Sequence, residues 1–208
     1  MNLVLTAEEI RILGVLIEKD MATPEYYPMS SNALANACNQ KTNRDPIVSY
    51  DEDLVQEALQ GLRGKQLIAT LSGAGHRVTK YSHRAAEILN INNREMAVLC
   101  VLLLRGAQTL NEIKTRTESL YKFDDLESVE LVLQRLNERS MTILLPKQPG
   151  TREPRWTHLI AGEPLVPSAV AEEIPAPGRE SLADRVARLE EEMVAIKSQF
   201  AEFRRQFE

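Results

Sequence analysis

The sequence predicts a mainly α chain with small β-hairpins, an α+β fold in which one small domain is written twice and a helical tail follows. Three observations carry that prediction. First, Arg77-Val78-Thr79-Lys80-Tyr81-Ser82-His83 returns as Arg152-Glu153-Pro154-Arg155-Trp156-Thr157-His158, with Arg, a cation, a large aromatic, a hydroxyl and a His in register. Second, the sequence ahead of it repeats too. Leu5–Ile17 aligns with Ile91–Leu103 at an offset of 86, and Asn32–Leu34 with Asn111–Ile113 at 79. Val55, Ala58, Leu59 and Leu62 align with Val129, Val132, Leu133 and Leu136 at 74, against 75 for the first pair of stretches. Offsets that change only between elements are what loops of unequal length produce. Third, the last residues carry an apolar period of seven.

In the first repeat the spacing predicts a helix over Ala7–Lys19, with Thr6 as N-cap and Glu9 completing a capping box. Ile10, Leu13 and Ile17, flanked by Ile12 and Leu16, give it a broad apolar face. Pro24 and Pro28 favour an extended connection. A second helix over Ser31–Cys38 buries Ala33, Leu34 and Ala37, and the polar loop Asn39–Pro46 follows. A third helix covers Tyr50–Gly64, with Ser49 as its cap and Val55, Ala58, Leu59 and Leu62 on its inner face. Leu67–Leu71, a Gly73-Ala74-Gly75 turn and Arg77–His83 then read as a hairpin.

The second repeat follows the same order. Its helices are Asn93–Arg105, one capped by Thr109 with Glu112, and Asp125–Arg139 capped by Asp124. Its hairpin is Met141–Leu145, a Pro149-Gly150 turn and Arg152–His158. Three helices and a hairpin are the order of a winged helix-turn-helix domain, in which helices two and three form the helix-turn-helix and the hairpin is the wing. The expected organisation is therefore two tandem winged-helix domains, residues 1–90 and 91–160. A proline-rich linker over 161–180 and a coiled-coil helix over 181–208 complete the chain.

In that tail Leu182, Val186, Leu189, Met193, Ile196, Phe200, Phe203 and Phe207 alternate spacings of four and three, a heptad seam. Placing Val186 and Met193 at position a sets Arg185 against Glu190 and Glu192 against Lys197 of a parallel partner, both attractive. The seam predicts a homodimer. Packing of the tail back onto its own globular part is the alternative.

Composition narrows the class. The 208 residues carry 25 Lys and Arg against 30 Asp and Glu, a net charge of −5, and no segment is a basic block. Nucleic-acid contact would have to come from local patches. No apolar run approaches the ~18 residues of a membrane span, and Met1–Leu5 lacks the basic start of a secretory signal. Cys38 and Cys100 are not equivalent in the repeat and make no disulfide framework. The chain reads as a cytoplasmic protein that does not associate with membranes.

Thr23-Pro24-Glu25, Tyr27-Pro28, the run Asn32-Ala33-Leu34 with Asn36-Ala37-Cys38-Asn39-Gln40-Lys41-Thr42-Asn43-Arg44-Asp45-Pro46, and Ala97–Gly106 resemble the YceH-like family of bacterial proteins. The resemblance covers about residues 1–160. It implies two winged-helix domains per chain, and no activity and no catalytic residues come with it.

A search for chemistry finds no catalytic constellation. His76, His83 and His158 are the only histidines, and neither cysteine stands at ligand spacing to them. No phosphate-binding loop or nucleophile elbow is present. No cofactor, metal site or enzymatic activity is expected. Tyr81 and Trp156 read as wing residues packed on helix three in preference to base-stacking residues.

Binding remains. The expected outer face of the first helix three presents Glu52, Asp53, Gln56, Glu57 and Gln60, and that of the second Asp125, Glu127, Glu130, Gln134 and Arg135. Acid at a recognition-helix start meets phosphate repulsion, so conventional major-groove insertion is disfavoured. The candidate nucleic-acid-binding set is peripheral: Lys41 and Arg44 before helix three, Arg77 and Lys80 on the first wing, and Lys147, Arg152 and Arg155 on the second. The preferred reading is a DNA-associated regulator gripping phosphates with loop and wings. The alternative is a protein–protein adaptor docking partners on its acidic helices.

Overall fold

A computed structural model of the chain describes residues 4–72, 78–147, 150–162 and 193. The first repeat comprises α1 (Ala7–Ala22), a 3-10 turn at Pro24–Tyr26, β1 (Met29–Ser30), α2 (Ser31–Cys38), α3 (Glu52–Gly64), β2 (Ile68–Leu71) and β3 (Lys80–His83). A short helix α4 (Ala85–Ile88) leads into the second: α5 (Asn93–Arg105), α6 (Leu110–Thr117), α7 (Leu126–Glu138), β4 (Thr142–Leu145) and β5 (Arg155–His158). The molecule thus mixes helices with small antiparallel sheets.

The offsets read from sequence return as geometry. Both ends of α2 and α6 differ by 79 positions, and both ends of α3 and α7 by 74. In sheet one, β3 pairs with β2 (Ile68 opposite His83) and with β1 (Met29 opposite Tyr81). In the second, Thr142 stands opposite His158, and an isolated bridge joins Gln108 to Trp156. Gln108 is 79 positions from Met29 and Trp156 is 75 from Tyr81, so even a one-residue bridge obeys the duplication.

The caps repeat as well. Thr6 and Asn92 each close a capping box, with Glu9 and Glu95. Ser30 and Thr109 cap the second helices. The third helices are capped by Asp51 and Asp125, not by the expected Ser49 and Asp124. In the first repeat the reason is local. Asn39 brackets Tyr50, its Nδ2 donating to the Tyr50 carbonyl at 2.8 Å and its Oδ1 accepting from the Tyr50 amide at 2.7 Å. Tyr50 is held outside the helix, which starts later than its apolar period suggests. Two other expectations shift. Helix α1 runs to Ala22, and Pro24 opens a 3-10 turn instead of an extended segment, a first-turn position that proline tolerates because its missing N–H is unneeded there.

Every residue from Glu9 to Ile17 in α1 is buried, and so is every residue from Glu95 to Leu104 in α5. A helix buried on all sides lies inside a core and not on its surface. The two helices cross where Gly14 leaves room. A Cβ on Gly14 would sit 2.9 Å from Leu104 Cδ2 and 3.2 Å from Leu103 Cβ. The Cys100 thiol, equivalent to Gly14 in the repeat, donates to the Gly14 carbonyl at 3.4 Å. Both repeats lie within residues 1–166 and share one continuous hydrophobic core. The boundary at 90/91 therefore divides the repeat and not the core.

Among the described residues no helix is long and apolar enough to cross a membrane. The cysteines are free and buried. Burial pushes the Cys38 thiol up to about 12 and moves Cys100 in the same direction. Of the tail, Met193 is helical and exposed. The rest of the expected seam (Leu182, Val186, Leu189, Ile196, Phe200, Phe203 and Phe207) lies outside the described residues, as does residues 163–180 of the linker.

Candidate nucleic-acid interface

Helix α3 sends Val55, Ala58, Leu59 and Leu62 inward. Glu52, Asp53, Glu57 and Gln60 remain exposed, as the period requires. Gln56 is half-buried and accepts from the Tyr81 hydroxyl at 3.3 Å, which docks the wing on the helix. Helix α7 repeats the inner face with Val129, Val132, Leu133 and Leu136. Its outer face holds Glu127, Glu130, Gln134 and Arg135, and also two exposed leucines, Leu126 at 36% and Leu131 at 51%. At the 74-residue offset these two replace Glu52 and Glu57. The surfaces are therefore acidic in repeat one, and acidic with two apolar points in repeat two. Sequence reading missed the leucines because it sorted α7 by charge, whereas the repeat alignment marks both as outward positions.

The loop before α3 does not present its cations as a pair. Lys41 is exposed, as expected. Arg44 is enclosed, its side chain fully shielded from solvent. Its guanidinium donates to both Glu18 oxygens at 2.9 and 2.6 Å, to the carbonyls of Ala37 and Asn43, and to Gln40 Oε1 at 3.0 Å. Arg11 braces the same loop, donating to the carbonyl of Cys38 at 3.5 Å and of Pro46 at 2.5 Å. Burial, and after it the nearby Arg44, holds the Arg11 guanidinium below its ordinary range. The Asp45 amide donates across to the Leu104 carbonyl at 2.9 Å, and Arg105 Nη2 donates to Asn43 Oδ1. Arg44 is therefore removed from the phosphate-binding set. The physical reason is that a loop full of hydrogen-bonding side chains satisfies buried helix-end carbonyls, and an arginine with five donors does this best.

On the wings, Lys80 is half-buried in β3, and Lys147 and Arg152 are exposed. Arg155 is committed, donating to Glu112 Oε2 and to the Ala107 carbonyl, both at 2.9 Å. Arg77 lies outside the described residues. Lys41, Lys80, Lys147 and Arg152 thus carry no ion pair among the described residues.

The aromatics and histidines sit where packing takes them. Trp156 is 9% exposed, within the core. The His83 ring lies 3.1 Å from Asp20, and its amide donates to the Tyr27 hydroxyl at 2.6 Å. Burial lowers the His83 pKa, against the opposing pull of Asp20. Burial alone takes His158 down to about 4, with its Nδ1 lacking a hydrogen-bond partner. Both rings are neutral near pH 7. Among the described residues no group of three His, Cys, Asp or Glu side chains is placed to hold a metal.

Residues 5–151 match a family described as a protein of unknown function, DUF480. The chain belongs to the DUF480 family. A UPF0502 protein of Solibacter usitatus (strain Ellin6076) is 50% identical over 204 residues, which cover 98% of each chain. One from Citrifermentans bemidjiense is 49% identical, covering 93% of this chain and 90% of its own. Another from Pelobacter propionicus is 47% identical, covering 99% and 95%. This meets the expectation of a bacterial family with no assigned activity. The Asn39–Pro46 run that helped carry the resemblance forms, in this DUF480 chain, a latch between α1, α2 and the end of α5, with Arg44 as its buried residue.

The latch gives a direct prediction. Arg44→Ala strands the Glu18 carboxylate beside an emptied site and should lower the unfolding free energy by about 3–5 kcal/mol. Lys41→Ala, three positions away and exposed, should change it by less than about 0.5 kcal/mol. Urea titration of both variants measures this, and two equally small effects would contradict the latch.

Proposed function

We propose that the chain is a non-enzymatic binding protein built from two tandem winged helix-turn-helix units, and that its partner is another protein seated on the outer faces of α3 and α7. The element order, the short first strand or bridge in each sheet, and the Tyr81–Gln56 contact between wing and third helix support the winged-helix assignment.

One observation carries the choice of partner. The surfaces a winged helix would put into a major groove bear Glu52, Asp53 and Glu57 in one repeat and Glu127 and Glu130 in the other, all exposed. Arg44, one of the two cations expected in the loop ahead of α3, is enclosed. A duplex meets repulsion there with little compensation. A basic protein segment meets attraction, and Leu126 and Leu131 offer it apolar contact. DNA is the second reading, favoured by four loop and wing cations that carry no ion pair among the described residues. Lys41, Lys80, Lys147 and Arg152 would grip phosphates through loop and wings, with no insertion of helix three.

The two readings separate in one pair of assays on the full chain. At physiological salt, filter binding against pooled duplex DNA should show no retention. In pull-downs, Glu57→Lys and Leu131→Glu should release a partner that the parent protein retains. Retention on DNA that is lost when Lys41, Lys147 and Arg152 are changed to Ala, with the salt slope falling by about 0.9 per contact removed, would sink the adaptor reading.

The heptad seam supports a further proposal, that residues 181–208 pair two copies as a parallel coiled coil. Exposed, helical Met193 fits a seam position awaiting a partner. A chain ending at residue 180 should run as a monomer by light scattering where the full chain runs as a dimer. A dimeric truncation would place the interface elsewhere.

A further inference from the structure

In each repeat a hollow opens between the start of the first helix and the side of the third. In the first repeat it is a cleft of about 250 Å³, with Thr6 and Glu8 on the α1 side and Glu57 and Gly61 on α3. In the second it is a more open recess of about 520 Å³, with Asn92 and Arg94 on the α5 side, Tyr121 at its edge and Arg135 on α7. The two are the same place in the duplication. Thr6 and Asn92, like Glu8 and Arg94, stand 86 positions apart, and Gly61 and Arg135 stand 74 apart.

The place is conserved between repeats and its charge is reversed. Glu8 is replaced by Arg94, Glu57 by Leu131 and Gly61 by Arg135. Ser128, Leu131 and Arg135 share one stripe of α7, and Glu127 and Glu130 lie off it. Neither charge is answered nearby. Among the described residues Glu8, Glu57, Arg94 and Arg135 form no ion pair, whereas Glu9, deeper in the first cleft, is committed to Lys65 at 2.5 Å. Arg94 is held ready. Its Nε donates to the Tyr121 hydroxyl at 2.8 Å, and its guanidinium carbon lies 5.5 Å from the centre of that ring. Gly61 carries no side chain because a Cβ there would sit 2.2 Å from Glu9 Oε1. So α3 leaves bare the position from which Arg135 projects on α7.

We propose that the acidic cleft of the first repeat docks the arginine recess of a second copy of this chain, with Arg94 and Arg135 of one copy facing Glu8 and Glu57 of the other. Guanidinium and carboxylate match as planar forks, and the bare position at Gly61 lets an incoming guanidinium approach α3. Under a two-fold axis each copy gives one such contact and receives the other, so the pairing closes. Exposed ion pairs are individually weak. The pairing of residues 181–208 proposed above brings two copies to the local concentration at which such contacts add. The inference rests on the reading that α3 and α7 hold a protein, and names that protein as a second copy.

The test measures the dimer dissociation constant of the full chain by sedimentation equilibrium. Glu8→Arg with Glu57→Arg sets base against base, and Arg94→Glu with Arg135→Glu sets acid against acid. Each double reversal should weaken the dimer about 10-fold or more, and all four changes together should return it to within about 3-fold of the parent. Raising the salt should weaken the parent dimer in the same direction. Lys41→Glu with Lys147→Glu changes net charge as much as the arginine pair does, from exposed positions outside both hollows, and should leave the dimer unchanged. Circular dichroism melting checks that each variant is folded, and the single reversals Arg94→Glu and Glu57→Arg report where a double variant melts early. Dissociation constants unmoved by the reversals, a fourfold variant as weak as the doubles, or a monomeric parent chain would each overturn the proposal. If the reversals spare the dimer while Glu57→Arg releases a different protein in pull-downs, the adaptor reading stands and the second copy falls.

Discussion

The close approach of α1 and α5 at Gly14 sets where everything else in the two repeats lies. Without a side chain at Gly14, the flank of Leu103 and Leu104 reaches the α1 backbone, and the equivalent residue Cys100 fills the space and bonds to the Gly14 carbonyl. The contacts are reciprocal. Gly14 meets Leu104, and Cys100 lies beside Glu18 in the same lining, which is the first pair with its members exchanged at the 86-residue offset. A residue i meeting j while j meets i is the relation of a two-fold interface. The two repeats pack inside one chain as two copies would pack in a dimer. Each fully buried leucine or isoleucine at such a crossing contributes about 1.5–3 kcal/mol, so neither first helix has an alternative home in solvent.

The duplication then diverged around that crossing, and the divergence holds the functional candidates. In the first repeat α1 carries Glu18, and the latch loop answers it with Arg44. In the second, the equivalent of Glu18 is Leu104, and no such cage is needed. The outer helices diverged in the same sense, with Glu52 and Glu57 replaced by Leu126 and Leu131. Buried polar groups were added where the loop needed fixing, and apolar groups were exposed on one face. Burial of Arg44 without Glu18 would be prohibitive, which makes this loop a single unit and not a set of separable contacts.

Much of this was legible in the sequence, because helix and strand periods and repeat offsets are local properties. The inner faces of α3 and α7, the capping boxes at Thr6 and Thr109, the pairing of β2 with β3 and of β4 with β5, and the acid on the outer faces follow from spacing alone. What was not legible depends on distant partners. Arg44 looks like any loop cation until Glu18, 26 positions earlier, is seen beside it. Asp51 outcompetes Ser49 as a cap because Asn39 brackets Tyr50 across the loop. The boundary at 90/91 was read from the repeat alone, and the hydrophobic core continues across it.

One continuous hydrophobic core makes the two repeats a single cooperative unit and not two beads on a string. Trp156 is the single tryptophan and lies in the second repeat, so its fluorescence reports that repeat alone. Leu59→Ala opens a cavity in the first repeat and should cost about 2–5 kcal/mol. Followed through urea unfolding by Trp156 fluorescence, the midpoint of this variant should fall together with the midpoint seen by circular dichroism. A Trp156 midpoint unchanged from the parent protein, with the dichroism transition split in two, would mean that the repeats unfold independently.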